Sequence, residues 1–330
     1  MEEIDRFISG EPQPADVNVE NTLRPKSFDE FPGQDRVKQK LKVFVEAAKK
    51  RGEPLDHVLL SGPPGLGKTT LAHILATALG ADFKSTSGPA LHRKGDLAAI
   101  LTSLKPGSFF FIDEIHRLNR DVEEYLYSAM EDFYIDIVTG EGLGARSMRF
   151  QLNPFTLVGA TTRAGLLKAP FRDRFGIVER LSFYDRASLM VILKRSASLL
   201  GIDLSDDGSE QIARRSRGTP RVANRLLKRV RDYADVHANG HVDAKLAEFA
   251  LNELEVDQLG LDPMDRRILW LIQNKFAGGP VGIDTLAAAL SEEPDTIEEV
   301  YEPFLLQEGL IQKTPRGRMI TELSRAHMKE

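Results

Sequence analysis

The chain has 330 residues, 42% of them hydrophobic and 28% charged, a balance that fits two or three ordinary globular domains. It has no apolar run long enough to cross a bilayer, its opening stretch MEEIDRFISGEPQPADVN lacks the basic start and apolar run of a secretory signal, and it has no cysteine; transmembrane helices, disulfides and thiolate metal sites are therefore not expected, and a cytoplasmic location is. The net charge of −5 argues against a protein that coats nucleic acid by bulk positive charge, but leaves room for a local basic face.

Residues 1–20 read as a loose leader. LRPKSFDEFPGQ then opens as a turn and runs into an amphipathic helix, DRVKQKLKVFVEAAKKRG. HVLLSG predicts a short buried strand, TTLAHILATALGA a helix, DFKSTSG a second strand and GDLAAILTSL a helix. SFFFIDEIHRL is an apolar strand that breaks at Asp113, RDVEEYLYSAMED is helical, and TLVGATTR is a further strand. Short apolar strands alternating with helices predict an α/β domain over residues 21–181, a parallel sheet with helices on both faces. One segment departs from that rhythm. In YIDIVTGEGLGARSMRFQL (134–152), Met148, Phe150 and Leu152 alternate with Arg149 and Gln151, and a glycine-rich tip precedes them; this predicts an inserted β-hairpin. Helical spacing dominates 182–255, giving a small bundle. Residues 256–330 predict three helices followed by the turn-containing hairpin IQKTPRGRMIT, the order of a winged helix.

The segment LLSGPPGLGKTT matches G-x-x-x-x-G-K-[ST] through Gly62, Gly67, Lys68 and Thr69, between a predicted strand and a predicted helix. Glycines there let backbone N–H groups turn inward around phosphate oxygens, and the helix N-terminus adds a favourable dipole. Lys68 would neutralise β/γ-phosphate charge, and the Thr69 hydroxyl would coordinate Mg²⁺. In FFFIDEIH an apolar strand runs beneath the phosphates and delivers Asp113 at its carboxyl end, to hold Mg²⁺ through water, and Glu114, to orient or deprotonate the attacking water. Glu114 also separates a motor from a nucleotide-dependent switch, which could dispense with it. GATTR ends another strand and puts Thr161 or Thr162 beside the γ-phosphate, with Thr162 preferred. APFRDRFG carries Arg172 and Arg174, and an arginine lent across a subunit boundary can stabilise transferring phosphoryl charge. GTPRVANR sets Arg221 at a helix start in the bundle, placed to tie the bundle to nucleotide state.

This order of elements resembles the AAA+ ATPases. LRPKSFDEFPGQ, GPPGLGKTTLA, FIDEIHRL, GEGLGARS, VGATTRAG, RDRFGI, RGTPRVANRLLKRVRD and TPRGR together resemble RuvB, the bacterial Holliday-junction branch-migration family, over about residues 20–320. The resemblance implies a hexameric ring around duplex DNA that hydrolyses ATP with Mg²⁺ in recombination and repair. It implies that Leu23, Arg24 and Pro25 wrap the adenine side, with Tyr184 and the stretch Glu131, Asp132 and Phe133 near the nucleotide. Gly65, Gly67, Lys68, Thr69 and Thr70 would hold phosphates and Mg²⁺. Arg174 would be the trans finger and Arg221 the second sensor. The partners implied are RuvA, docked on the 134–152 hairpin through its apolar tip residue Leu143, and RuvC in a resolving complex.

The winged helix adds a point of its own. Its third helix, EEPDTIEEVYEPFLLQEG, is strongly acidic and would be repelled by phosphates. The wing carries Lys313, Arg316 and Arg318, so the expectation is sequence-neutral, salt-sensitive contact of these three with the DNA backbone. Family members often have arginine where this chain has Lys313. The same core motifs also suit two other classes: a clamp-loader-like or initiator-like switch, and a protein-remodelling machine. Remodellers usually carry an aromatic pore loop, and none is clearly placed here; the winged helix favours DNA.

Overall fold

The computed structural model describes residues 22–139 and 146–328. The leader 1–20 and the hairpin residue Leu143 lie outside the described residues. The described chain divides into two compact units. One comprises Arg24–Gly62 and Gly67–Ser182; the other holds Leu23, Pro63–Leu66 and the chain from Phe183 onward.

The first unit is built on a five-stranded sheet in the order β2–β3–β6–β1–β7. Its strands are β1 (Val58–Ser61), β2 (Phe83–Ser87), β3 (Phe109–Asp113), β6 (Thr156–Thr161) and β7 (Ile177–Arg180). Every pairing is parallel. A parallel sheet needs both faces covered, so its strands read as nearly continuous apolar runs. FFFI of β3 and TLVGAT of β6 are buried throughout. Helices Asp35–Arg51, Lys68–Leu79, Lys94–Thr102 and Arg120–Glu131 supply the cover. The edge strand β7 escapes sequence reading because its IVER run alternates buried and exposed residues over only four positions.

The inserted hairpin pairs β4 (Tyr134–Thr139) with β5 (Arg146–Gln151), from Tyr134↔Gln151 to Thr139↔Arg146. Directly opposed residues share a face. Ile135 and Phe150 form one such pair and Ile137 and Met148 another. Ile135 is buried in the core, whereas Phe150 and Met148 stay 41% and 52% exposed.

In the second unit, helices Arg186–Leu200, Asp206–Arg215, Pro220–His237 and Ala244–Glu253 form the bundle, with a short parallel pairing of β8 (Asp203–Leu204) and β9 (His241–Val242). Helices Pro263–Lys275 and Ile283–Leu290, a helical stretch from Pro294 to Gln307 and a hairpin of β10 (Ile311–Thr314) and β11 (Gly317–Ile320) form the winged helix. The third helix is not uniform, because a π-turn occupies Ile297–Tyr301. A further helix, Glu322–His327, follows the wing and was not expected. This domain has its own core around Ile268, Leu269, Leu286, Ile297, Leu305 and Leu310.

Phe110 in β3 is fully buried, and removing its ring leaves a cavity that the packed sheet cannot close. Phe110→Ala is expected to destabilise the nucleotide-binding unit by about 3–5 kcal/mol, read as a lower urea midpoint with an unchanged slope.

Candidate nucleotide site and nucleic-acid interface

The carboxyl ends of β1, β3 and β6 carry the candidate chemistry. After β1 the chain turns through Gly62, Gly65 and Gly67, all with positive φ. A Cβ on Gly62 would sit 2.5 Å from the Leu181 carbonyl oxygen, so only glycine fits there. Lys68 opens the helix, is buried, and donates from Nζ to the Gly62 carbonyl at 2.8 Å. Thr69 and Thr70 follow in the first helical turn, half-buried.

Asp113 ends β3, and its Oδ1 accepts from the Glu114 backbone N–H at 3.0 Å. Glu114 is held in left-handed backbone geometry at φ 47. Gly88 packs against its carbonyl, where a Cβ would come within 2.4 Å. The Glu114 carboxylate accepts from the Thr162 hydroxyl at 3.2 Å and lies 3.1 Å from His116 Nδ1. Burial pushes its pKa up, the charge of Asp113 adds to that, and Lys68 and the Thr162 hydrogen bond oppose it. A half-buried carboxylate raised in this way is a competent proton acceptor. Thr161 is fully buried instead; its Oγ1 lies 2.9 Å from His116 Nδ1 and accepts from the Arg163 N–H. Of the two threonines, Thr162 is the one that touches the candidate base.

No cluster of three or more metal-ligating side chains occurs among the described residues. Where Mg²⁺ is bound with a nucleotide, phosphates and water supply most of the oxygens; Thr69 could add its hydroxyl directly and Asp113 its carboxylate through water.

Arg174 and Glu131–Phe133 lie elsewhere. Arg174 sits three residues before β7 begins, where Ile177 donates to the carbonyl of His57, the residue preceding β1. Glu131 ends its helix, and the preceding Met130 carbonyl accepts from His57 Nε2 at 3.0 Å. Phe133 packs on His57 and Phe155, both just ahead of their strands. These residues therefore occupy the amino-terminal edge of the sheet. With about 3.3 Å per residue, the four-residue strand β1 separates that edge from the phosphate loop by roughly 13 Å. The parallel strands carry Glu131, Asp132 and Phe133 to the edge opposite the chain's own phosphate loop. Arg174 is tied down within its own chain: it donates to Glu131 at 2.9 Å and to the Pro170 carbonyl, and lies 4.5 Å over the Tyr127 ring. Burial and the bond to Glu123 push the Tyr127 hydroxyl up to about 12, so it stays protonated. Arg172 is exposed.

In the second unit, Tyr184 is buried and donates its hydroxyl to the Leu66 carbonyl at 3.1 Å, while the Arg221 backbone N–H reaches the Gly65 carbonyl at 3.4 Å. Leu23 is buried, and its carbonyl accepts from Arg195 at 2.6 Å. In the first unit, the half-buried Arg24 carries charge felt by His73, whose pKa burial lowers first and Arg24 lowers further.

The wing departs from expectation. Arg318 is only 5% exposed; its guanidinium is bound to Glu302 and, at 2.6 Å, to Glu298. Lys313 lies 3.1 Å from Glu298 and 3.5 Å from Glu302. The acidity of the third helix is thus spent on the root of the wing. In the chain without DNA, Arg318 is a buried ion-pair partner, Lys313 is half-exposed, and Arg316 is exposed at the turn.

Family models match the chain in three consecutive stretches: the Holliday junction DNA helicase RuvB P-loop domain over residues 23–181, the RuvB AAA lid domain over 184–257 and the RuvB C-terminal winged helix domain over 258–329. The chain belongs to the RuvB family. A Holliday junction branch migration complex subunit RuvB from Bdellovibrio bacteriovorus is 71% identical over 321 residues, covering 97% of this chain and 98% of the relative. The solved Thermotoga maritima RuvB Holliday junction branch migration motor is 54% identical with a TM-score of 0.86, covering 93% of this chain and 98% of that one. A mutant of the same Thermotoga protein superposes with a TM-score of 0.87. The α/β core, lid and winged helix expected from the sequence are those of the RuvB family fold.

His116 carries no motif signal of its own within FFFIDEIH, yet it stands between Glu114 and Thr161. His57 is a second such residue. Its Nδ1 accepts from the Leu157 N–H while Nε2 donates to Met130, which fixes a neutral tautomer joining two strands to a helix end; burial lowers its pKa. An isolated histidine before an apolar run carries no sequence signal for such a role.

Glu114→Gln preserves shape and removes the proton acceptor. It is expected to bind ATP with affinity close to that of the original chain and to lose about 10²–10⁴-fold in turnover, measured by fluorescent-nucleotide binding beside phosphate release.

Proposed function

We propose that this chain is an ATP-driven DNA motor of the branch-migration type, working as a hexameric ring whose sites are completed between subunits. The ATP-hydrolysing part rests on membership of the RuvB family and on the convergence of Lys68, Asp113, Glu114 and Thr162 at one sheet edge. Glu114 takes a proton from the attacking water, Thr162 orients its carboxylate, and Lys68 neutralises phosphate charge. Mg²⁺, held by Thr69 and through water by Asp113, would supply charge neutralisation to the phosphates.

One observation carries the assembly reading: Arg174 and Glu131 share the edge opposite the phosphate loop. A guanidinium there is well placed for a neighbour's nucleotide and badly placed for its own. Glu131, Asp132 and Phe133 accompany it, so any contact they make with a nucleotide is made in another subunit. Arg221 is the second sensor, its helix start bonded to the loop through Gly65, with Tyr184, Leu23 and Arg24 on the adenine side.

RuvA is proposed to dock on the 134–152 hairpin, supported by the apolar face that Met148 and Phe150 leave exposed. RuvC would join in a resolving complex, in the cytoplasm. For DNA, Arg316 is the proposed principal phosphate contact, with Lys313 secondary. No helix among the described residues is long and apolar enough to cross a membrane.

Arg174→Ala is expected to keep nucleotide binding and lose roughly 10³–10⁵-fold in DNA-stimulated hydrolysis. Small fractions of it should also poison rings of the original chain in mixing assays. Normal hydrolysis by Arg174→Ala would end the shared-site reading. For the wing, Arg316→Ala should reduce the slope of log binding against log salt by about 1, measured by filter binding. Arg318→Ala should act first on the melting temperature of the winged helix, because it leaves the buried Glu302 carboxylate without its guanidinium partner.

A further inference from the structure

The turn that leads into the proposed sensor helix is anchored in the winged helix. Arg217 stands four residues before Arg221, is 4% exposed and has a left-handed backbone at φ 53. Its Nε donates to the Gly260 carbonyl at 2.8 Å. Its Nη2 is bound to Asp265 and lies 3.2 Å from Asp262. Its guanidinium also covers the Phe304 ring at 4.9 Å. Asp262 and Asp265 are both buried and form the capping box of the winged helix's first helix, Pro263–Lys275. That helix N-terminus offsets part of their negative charge, and Arg217 offsets more.

Neighbouring contacts tighten the same junction. Arg215, 1% exposed, donates to the Asp257 carbonyl at 3.1 Å. A Cβ on Gly260 would meet the Arg215 carbonyl at 2.7 Å. Asp257 in turn bonds His327 near the chain's end. On the other side of the turn, the Gly218 carbonyl accepts from Tyr184 N–H at 2.8 Å, and Tyr184 holds Leu66 of the phosphate loop. A continuous set of bonds therefore runs from Gly65 and Leu66, through Tyr184, Arg221 and Arg217, to the first and third helices of the winged helix.

We propose that Arg217 is the positioning residue that makes lid and winged helix turn as one body, so that nucleotide state sensed at the phosphate loop is delivered to the DNA-binding wing. An apolar contact of this size could slide. A guanidinium locked to two buried carboxylates, a carbonyl and a ring cannot, because any displacement strands charge in a dry interior. Arg217 acts through the helices that it joins. The proposal rests on the reading of Arg221 as the nucleotide sensor.

The test compares ATP hydrolysis with displacement of a third strand from linear duplex, in the full chain. Arg217→Met removes the anchor, and Arg217→Met with Asp265→Asn also removes one of the two carboxylate charges left behind, that of Asp265. Arg217→Lys asks whether a single charge restores function. The expected result in the double variant is a retained melting transition, nucleotide binding and ATPase within about two-fold of the original, and about ten-fold less displacement per ATP, within the usual range of coupling between sites. Arg217→Lys should recover only part of that ratio, since an ammonium lacks the guanidinium fork. An unchanged displacement per ATP in the double variant overturns the proposal. So does a parallel fall in hydrolysis and displacement, or loss of the melting transition in both methionine variants, either of which assigns Arg217 to stability alone. Arg221→Ala runs alongside: if it behaves as the original chain does, the sensor reading fails, whereas an effect of Arg221→Ala with none at Arg217 sinks only the coupling.

Discussion

Parallel strand direction is the constraint on which the rest depends. Because all five strands of the nucleotide-binding unit run the same way, the sheet has one edge of carboxyl ends and one of amino ends. The first collects Lys68, Asp113, Glu114 and Thr162; the second collects His57, Glu131, Phe133 and Arg174. A side chain cannot change edges without breaking the ladder. A cation at the amino edge therefore lies away from its own phosphate loop, and the proposed shared site rests on that topology.

Electrostatics in the second unit follow a similar economy. The chain is acidic overall and yet carries the basic run 214–231 and the basic wing. Much of that basic charge is committed internally: Arg215 and Arg217 at the junction between lid and winged helix, Arg318 and part of Lys313 at the root of the wing. Buried pairs of this kind add little net stability over apolar packing, but they penalise every other arrangement. They suit a part that must hold its geometry while under load.

Much of the fold and the phosphate loop was legible in the residues. G-x-x-x-x-G-K-[ST] between an apolar strand and a helix specifies its own backbone, because Gly62, Gly65 and Gly67 must take conformations that other residues resist. Asp113 and Glu114 were legible for the same local reason, since four apolar residues carry the chain to the sheet edge and the acids follow. Less local features were not. Arg318 looked like Arg316 in sequence, yet its partners Glu302 and Glu298 lie 16 and 20 positions away. Arg217 read as one of many cations in a basic run, while its carboxylate partner Asp265 lies 48 positions away.

The sequence by itself determined most of the order of elements (β7 and the last helix apart), the loop that binds phosphate and the acids beneath it, since each depends on neighbours within one strand or one helical turn. Tertiary structure alone decided which cations remain exposed and which are consumed in burial. It also placed Arg174 on the edge away from its own phosphate loop, where the direction of the sheet leaves it. Those outcomes depend on pairings between distant segments, and a charge carries no mark in the chain of the partner that will meet it.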